Sequence, residues 1–284
     1  MYDIATCARY CIIVLHDRKE FFMKVTYISH SGFAVELPSA TLLFDYYKGQ
    51  IPDFPTDKPL FVFSSHSHGD HFVPQVFDLA KRYPQIHYIF SHDIWMMRKK
   101  HTRAGVSEEC FTSATYLRAH ETKAFPSGIT ISTLRSTDMG VAFLVECDGL
   151  KIYHAGDLHW WAWPGDTKQN INNMTANYQR EIAALDELLK GASNTLTDAS
   201  VDTALLDLAF LPLDGRLEEN YALGMEYFLQ KIPVRHVFPM HFWDKYDVIS
   251  NYLEKYNNSN QRQSDPPFPP TVYSIDREEQ SWTI

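Results

Sequence analysis

The stretch Ser64-Ser65-His66-Ser67-His68-Gly69-Asp70-His71-Phe72 constrains this chain more than any other. Four side chains able to bind a metal ion fall within six residues, in the frame H-x-H-x-D-H. The apolar run Leu60-Phe61-Val62-Phe63 before it has the character of a buried strand. Pro74, after it, opens a helical pattern through Val76, Phe77, Leu79 and Ala80, with proline in the first turn, where a missing N–H costs nothing. The motif is therefore expected on a strand-to-helix loop. In an extended stretch, His66 and His68 point the same way and can pinch one ion. Asp70 and His71 follow Gly69, where the chain can turn, and can face a second ion beside the first. Imidazole with carboxylate suits zinc, manganese or iron. The competing reading is a surface loop that happens to be rich in histidine. With 13 His in 284 residues, composition alone yields this frame roughly once in several hundred such chains, so the metal reading is preferred.

Alternating and apolar runs predict strands at Val25–Ile28, Phe33–Leu37, Thr41–Asp45, Tyr88–Ser91, Thr130–Leu134, Ala142–Glu146, Lys151–His154, Leu205–Leu213 and Val234–Met240. An edge strand is expected over Thr271–Ile275. Asp148-Gly149 suits a two-residue hairpin turn. Helices are expected over about Asp93–His101, through Tyr178, Ile182, Leu185, Leu188 and Leu189, and over Asn220–Lys231 and Asp247–Tyr256. Strands with helices interspersed predict a layered α/β arrangement. The polar segment Asn257–Pro270 reads as an irregular link. Residues 1–22 read as an N-terminal extension, either an upstream translation artefact or loosely attached, and residues 23–284 as a single domain.

Composition narrows the partners. A net charge of -9 argues against a broad nucleic-acid surface, and no run approaches the length of a membrane span. The four cysteines form no C-x-x-C pair, which points to a reducing, cytoplasmic setting. The expected partner is a small molecule, with the oligomeric state left open.

Two further pieces extend the opening motif: His154-Ala155-Gly156-Asp157 and Pro239-Met240-His241, each at the end of a predicted strand. With them, the chain resembles the metallo-β-lactamase superfamily, a four-layer αββα sandwich, over roughly Met23 to Tyr256. His30-Ser31-Gly32-Phe33 followed by Leu42-Leu43-Phe44-Asp45 is similar to the branch that includes L-ascorbate-6-phosphate lactonase and related small metal-dependent hydrolases. The resemblance implies that His66 and His68 bind the first ion, that Asp70, His71 and His241 bind the second, and that Asp157 bridges them. It implies a water or hydroxide between the ions as nucleophile, with Asp70 orienting it or accepting its proton. Members with two full sites supply a third His to the first ion. The corresponding stretch here, Leu134 to Val141, has none. Asp138 is the substitute within that stretch; His120 or His159 would have to reach in from elsewhere. Without a substitute, one ion is held instead of two.

The resemblance thus implies one or two divalent ions, zinc first, with manganese or iron as alternatives. The function expected is hydrolysis of a small anionic substrate, a lactone or phosphodiester. The alternatives are a mononuclear iron oxidoreductase on the same fold and a non-catalytic binding protein on a partly decayed site. His30, His159, Trp160, Trp161 and Asp214 are candidates for the substrate pocket. For each there is a plainer reading: a turn for His30 and Asp214, a surface loop for His159, ordinary packing for the tryptophans. His154 is expected to hydrogen-bond near the site rather than ligate.

Overall fold

The computed structural model describes residues 23–125, 127–191, 205–260 and 269–284. The expected extension over residues 1–22 lies outside the described residues. A reversal at His30 and Ser31 folds β1 (Lys24–Ser29) back onto β2 (Gly32–Glu36), and β3 (Thr41–Phe44) continues the antiparallel run. β4 (Leu60–Ser64), β5 (Ile86–Ser91) and β6 (Thr115–Leu117) then add in parallel. Parallel pairing requires crossovers. These include a 3₁₀ turn at Pro74–Lys81 and the helices α1 (His92–Arg103) and α2 (Glu108–Thr112).

The second sheet repeats the plan. β7 (Thr122–Ala124), β8 (Thr130–Arg135), β9 (Val141–Cys147) and β10 (Leu150–His154) run antiparallel. β11 (Leu206–Pro212), β12 (Val234–Met240) and β13 (Thr271–Val272) extend the sheet in parallel. Between them lie α3 (Lys168–Gly191), α4 (Leu223–Lys231) and α5 (Asp247–Asn260). β14 (Ser281–Thr283) returns to the edge of β1, giving two seven-stranded sheets.

Alternation along β4 shows why four layers form. Phe61 and Phe63 join the core between the sheets, where Phe63 meets Phe143 with ring centres 5.2 Å apart. Leu60 and Val62 point the other way, into a separate apolar cluster with Phe77 of the 3₁₀ turn, Ile94 of α1 and Phe111 of α2. On the far side Tyr178, Ile182, Leu185 and Leu189, of the predicted apolar stripe of α3, are buried in the main core, and Leu188, its other member, is partly buried against it. The layers run helix, sheet, sheet, helix, as expected. The two free cysteines described are Cys110 and Cys147. Among the described residues no helix is long and apolar enough to cross a membrane.

Several local expectations need correction. The motif leaves β4 at Ser64 onto the expected loop, but the loop bends at once, so His66 and His68 do not lie in an extended stretch. Asn220 closes a short 3₁₀ turn, Gly215–Asn220, and the helix begins only at Leu223. Helix α5 runs on to Asn260, into the segment expected as a link, and residues 261–268 lie outside the described residues. The late edge strand is only Thr271–Val272. The short elements β6, β7, β14 and α2 carry too few residues for a periodic signal.

Candidate metal centre

The site gathers at the carboxyl ends of parallel strands, where open α/β sheets bind their ligands. Asp45 follows β3 and the His66–His71 loop follows β4. Asp157, Asp214 and His241 follow β10, β11 and β12. Two glycines let the loops from opposite sheets meet. A Cβ on Gly140 would lie 2.0 Å from the Ser65 carbonyl oxygen, and one on Gly156 would lie 2.6 Å from the Ser65 Cβ. Both have positive φ, 74° and 52°, a conformation glycine adopts without penalty. Gly69, in the motif itself, has no such φ and open space around it.

Two clusters result, each with its potential ligand atoms within 4.8 Å of one another: His66, His68, Asp138 and Asp157; and His30, Asp70, His71 and His241. Asp157 faces both. Its Oδ2 is 3.5 Å from His66 Nε2, while its Oδ1 is 3.2 Å from His71 Nε2 and 3.4 Å from His241 Nε2. Asp138 approaches His68 Nδ1 at 3.8 Å, which puts the substitute carboxylate beside the first pair of histidines. His30 Nε2 lies 3.5 Å from Asp70 Oδ2, so a residue expected to line the pocket instead joins the second cluster.

The imidazoles are held from behind. His71 Nδ1 is 2.8 Å from Asp45 Oδ2, and Asp45 also accepts from the Ser65 backbone N–H at 2.7 Å and the Ser65 hydroxyl at 2.6 Å. His241 Nδ1 is 2.9 Å from Asp214 Oδ2. His154, expected to hydrogen-bond near the site, makes two contacts beside it. Its Nδ1 accepts from the Gly156 N–H at 3.2 Å, and its Nε2 is 2.9 Å from the Ser31 carbonyl oxygen.

Burial and charge divide the titrating groups. Burial pushes His30 and His66 down to about 4. Burial also opposes a proton on His241, but the Asp157 and Asp214 carboxylates outweigh it and raise the group to about 9. His71 moves up for the same reason, through Asp157 and Asp45. Asp157 is held well below the usual carboxylate range, because His71 and His241 overcome the effect of burial. Asp70 is also lowered: burial acts upward, and the His30 and His71 imidazoles prevail. Asp138 rises, through burial and then the like charge of Asp157.

Over the clusters lies a cavity of about 300 Å³ whose wall includes Asp70, Asp138, Asp157, Trp161, Trp163, Arg216, His241 and Trp243. Trp161, a candidate for the pocket, lines it. Three other pocket candidates do not. Trp160 packs its ring on Tyr178 and Tyr227, away from the cavity. His159 is buried beneath Trp161 and against Gly224, and burial lowers it to about 3. Asp214 is fully buried, occupied with His241 and Arg216. A larger cavity of about 540 Å³, lined by His120, Arg135, Arg180 and Glu181 among others, adjoins across Thr137. His120 pairs there with Glu181 at 3.3 Å and does not reach the clusters. Asp45, behind His71, and Trp243, on the cavity wall, were not singled out as site residues from the sequence. Asp45 had a signal, as an acid ending an apolar strand.

A beta-lactamase superfamily domain model matches residues 24–170, just over half of the 284-residue chain. A UPF0173 metal-dependent hydrolase of Opitutus terrae is 29% identical over 147 residues, covering 48% of this chain and 63% of that protein, so the chain spans under two thirds of that relative's length. Among solved structures, Igni18, a metallo hydrolase from Ignicoccus hospitalis, superposes with a TM-score of 0.60 at 16% identity, covering 93% of this chain and 98% of that one. CmlA, a diiron β-hydroxylase from Streptomyces venezuelae, gives 0.55 at 10% identity, covering 94% and 54%. At these identities the two structures share the fold alone. The chain belongs to the beta-lactamase superfamily.

Proposed function

We propose that this chain is a metal-dependent hydrolase of a small anionic substrate, a lactone or phosphodiester, using one or two divalent ions, zinc first. The observation that carries the reading is a set of buried polar atoms that converge without an aligned hydrogen bond: His30 Nε2, His71 Nε2 and Asp157 Oδ1. Leaving such atoms unpaired costs about 1–3 kcal/mol each, and imidazole nitrogens facing carboxylate oxygens are the donor set that divalent cations take. The residues present therefore fit the ions. His66, His68, Asp138 and Asp157 would hold one, and His30, Asp70, His71 and His241 the other, with Asp157 shared.

When bound, such ions lower the pKa of a coordinated water and polarise the bond under attack. The remaining work falls to the chain. Asp70, at the cavity wall, orients the attacking water and accepts its proton. Asp45 and Asp214 fix the ring orientation of His71 and His241, as carboxylates behind metal-binding histidines do. Trp161, Trp163 and Trp243 narrow the mouth and exclude bulk water. The test is elemental analysis of the purified protein, joined to turnover of generic lactone, ester and phosphodiester substrates with added zinc or manganese. Wild type should exceed Asp70→Ala by about a hundredfold or more. Equal rates for the two on every substrate would overturn the reading.

A further inference from the structure

We propose that Arg216 is the specificity-determining residue of this site. Its guanidinium receives an oxyanion of the substrate, a carboxylate or a phosphate, at a fixed distance from His241 and Asp157. The identity of the bond cleaved rests on the hydrolase reading; the anion receptor stands on its own geometry.

Among the described residues lining the metal-side cavity, Arg216 is the lone lysine or arginine, on a wall that otherwise carries Asp70, Asp138 and Asp157. Its position is fixed from below. Asp214, fully buried, accepts from the Arg216 backbone N–H at 2.9 Å, from Nε at 3.0 Å to both oxygens, and from Nη2 at 2.5 Å. That contact occupies one edge of the guanidinium fork. Arginine has five side-chain N–H donors, so the Nη1 pair and one Nη2 hydrogen are left over. No other acceptor for them is found among the described residues. The side chain is 44% exposed, so those donors are not sealed in the core.

The flanks are also set for a ligand. The guanidinium carbon lies 4.9 Å from the Trp243 ring centre and 5.5 Å from that of Trp163, within the range of cation–π attraction. Both indoles are exposed, 39% and 37%, which is uncommon for so large an apolar ring. A cation held rigidly between two open aromatic faces, with a free planar fork, is the arrangement that captures oxyanions bidentately. Asp214 also holds His241 Nδ1 at 2.9 Å, so a single carboxylate spaces the receptor from the metal cluster.

The test uses the zinc-loaded protein and calorimetric titration with benzoate, its neutral isostere benzamide, and inorganic phosphate. In wild type, benzoate or phosphate should bind about tenfold or more tighter than benzamide. In Arg216→Gln that advantage should disappear, and the oxyanion that loses most names the group preferred. If Arg216→Gln keeps the wild-type ratio, the anion is held by the ions and the proposal is overturned. Equal or undetectable binding of all three probes to wild type also overturns it. Should Arg216→Gln lose zinc, the reading moves to Arg216→Lys, which keeps the charge but not the fork. There, oxyanion affinity must drop at least about threefold, and unchanged affinity sinks the proposal. Binding of the probes needs no turnover, so an inactive wild type that still selects benzoate would defeat the hydrolase reading alone.

Discussion

The two halves of the candidate metal centre are built to different depths. His30, His71 and His241 are each 2% exposed or less, and the far nitrogens of His71 and His241 are anchored on the buried acids Asp45 and Asp214. Across the cavity, the side chains of His68 and Asp138 are 45% and 51% exposed, and of that cluster only His66 and the shared Asp157 are buried. The difference follows from what backs each residue. Asp45 and Asp214 hold the rings of His71 and His241 from behind, and the His30 ring packs against those of His241 and Trp243. His68 and Asp138 sit on loops with their side chains open to solvent. A ligand with a locked rotamer loses little freedom when it binds. The deep half is therefore expected to hold its ion first and more tightly.

The largest effect should separate the halves outright. His71→Ala removes a deep ligand and strips buried Asp45 of its imidazole, a change that costs about 3–5 kcal/mol of stability. Activity should fall on the order of a thousandfold. His68→Ala, at a half-exposed position, should leave stability within about 0.5 kcal/mol and lower activity about ten- to a hundredfold. Thermal unfolding and elemental analysis of both variants decide the matter. If His68→Ala loses the tighter equivalent of metal, the ranking of the halves is inverted.

The same contrast explains what could be read from the sequence. The H-x-H-x-D-H frame, Asp157 and His241 were legible because each stands at the end of an apolar run, and strand ends carry chemistry in this class of fold. His30 was legible as a pocket residue or a turn, not as a member of the metal cluster. Its place in the deep cluster depends on a long-range contact, the His241 N–H reaching the His30 carbonyl at 3.3 Å. The service of Asp45 to His71 depends on the parallel pairing of β3 with β4. Trp160 and Trp161 are neighbours in an irregular loop, one packed into the core and the other on the cavity, and no periodicity distinguishes such a pair.

Titration offers a second, smaller contrast, in the metal-free protein. His241 is raised in the folded chain from 6.5 to about 9, so its contribution is complete below pH 6.5 and vanishes as pH rises through 9. That span corresponds to about 3 kcal/mol, and His71 acts in the same direction. His30 and His66 are lowered to about 4, so their neutral forms stabilise the fold above pH 6.5 and that stability is lost as pH falls towards 4. Urea unfolding in EDTA should therefore show greatest stability near pH 6.5 to 7. With zinc bound in place of the protons on His71 and His241, the alkaline decline should flatten. A metal-free protein equally stable at pH 6.5 and 9 would break the link between the deep half and its carboxylates.

The smallest effect should come from the open half alone. Asp138 is the carboxylate proposed where a third imidazole would stand, and burial, then the like charge of Asp157, raises its pKa. Asp138→His replaces a hard oxygen donor by nitrogen, which favours zinc over manganese. Gly140 and its close approach to Ser65 are untouched, so the loop path should hold. The weaker equivalent should then prefer zinc over manganese by about tenfold more than in wild type, while the tighter equivalent stays as it was. Competitive metal titration reads both. If the two equivalents move together, the halves share one electrostatic unit through Asp157, and depth is not what distinguishes them.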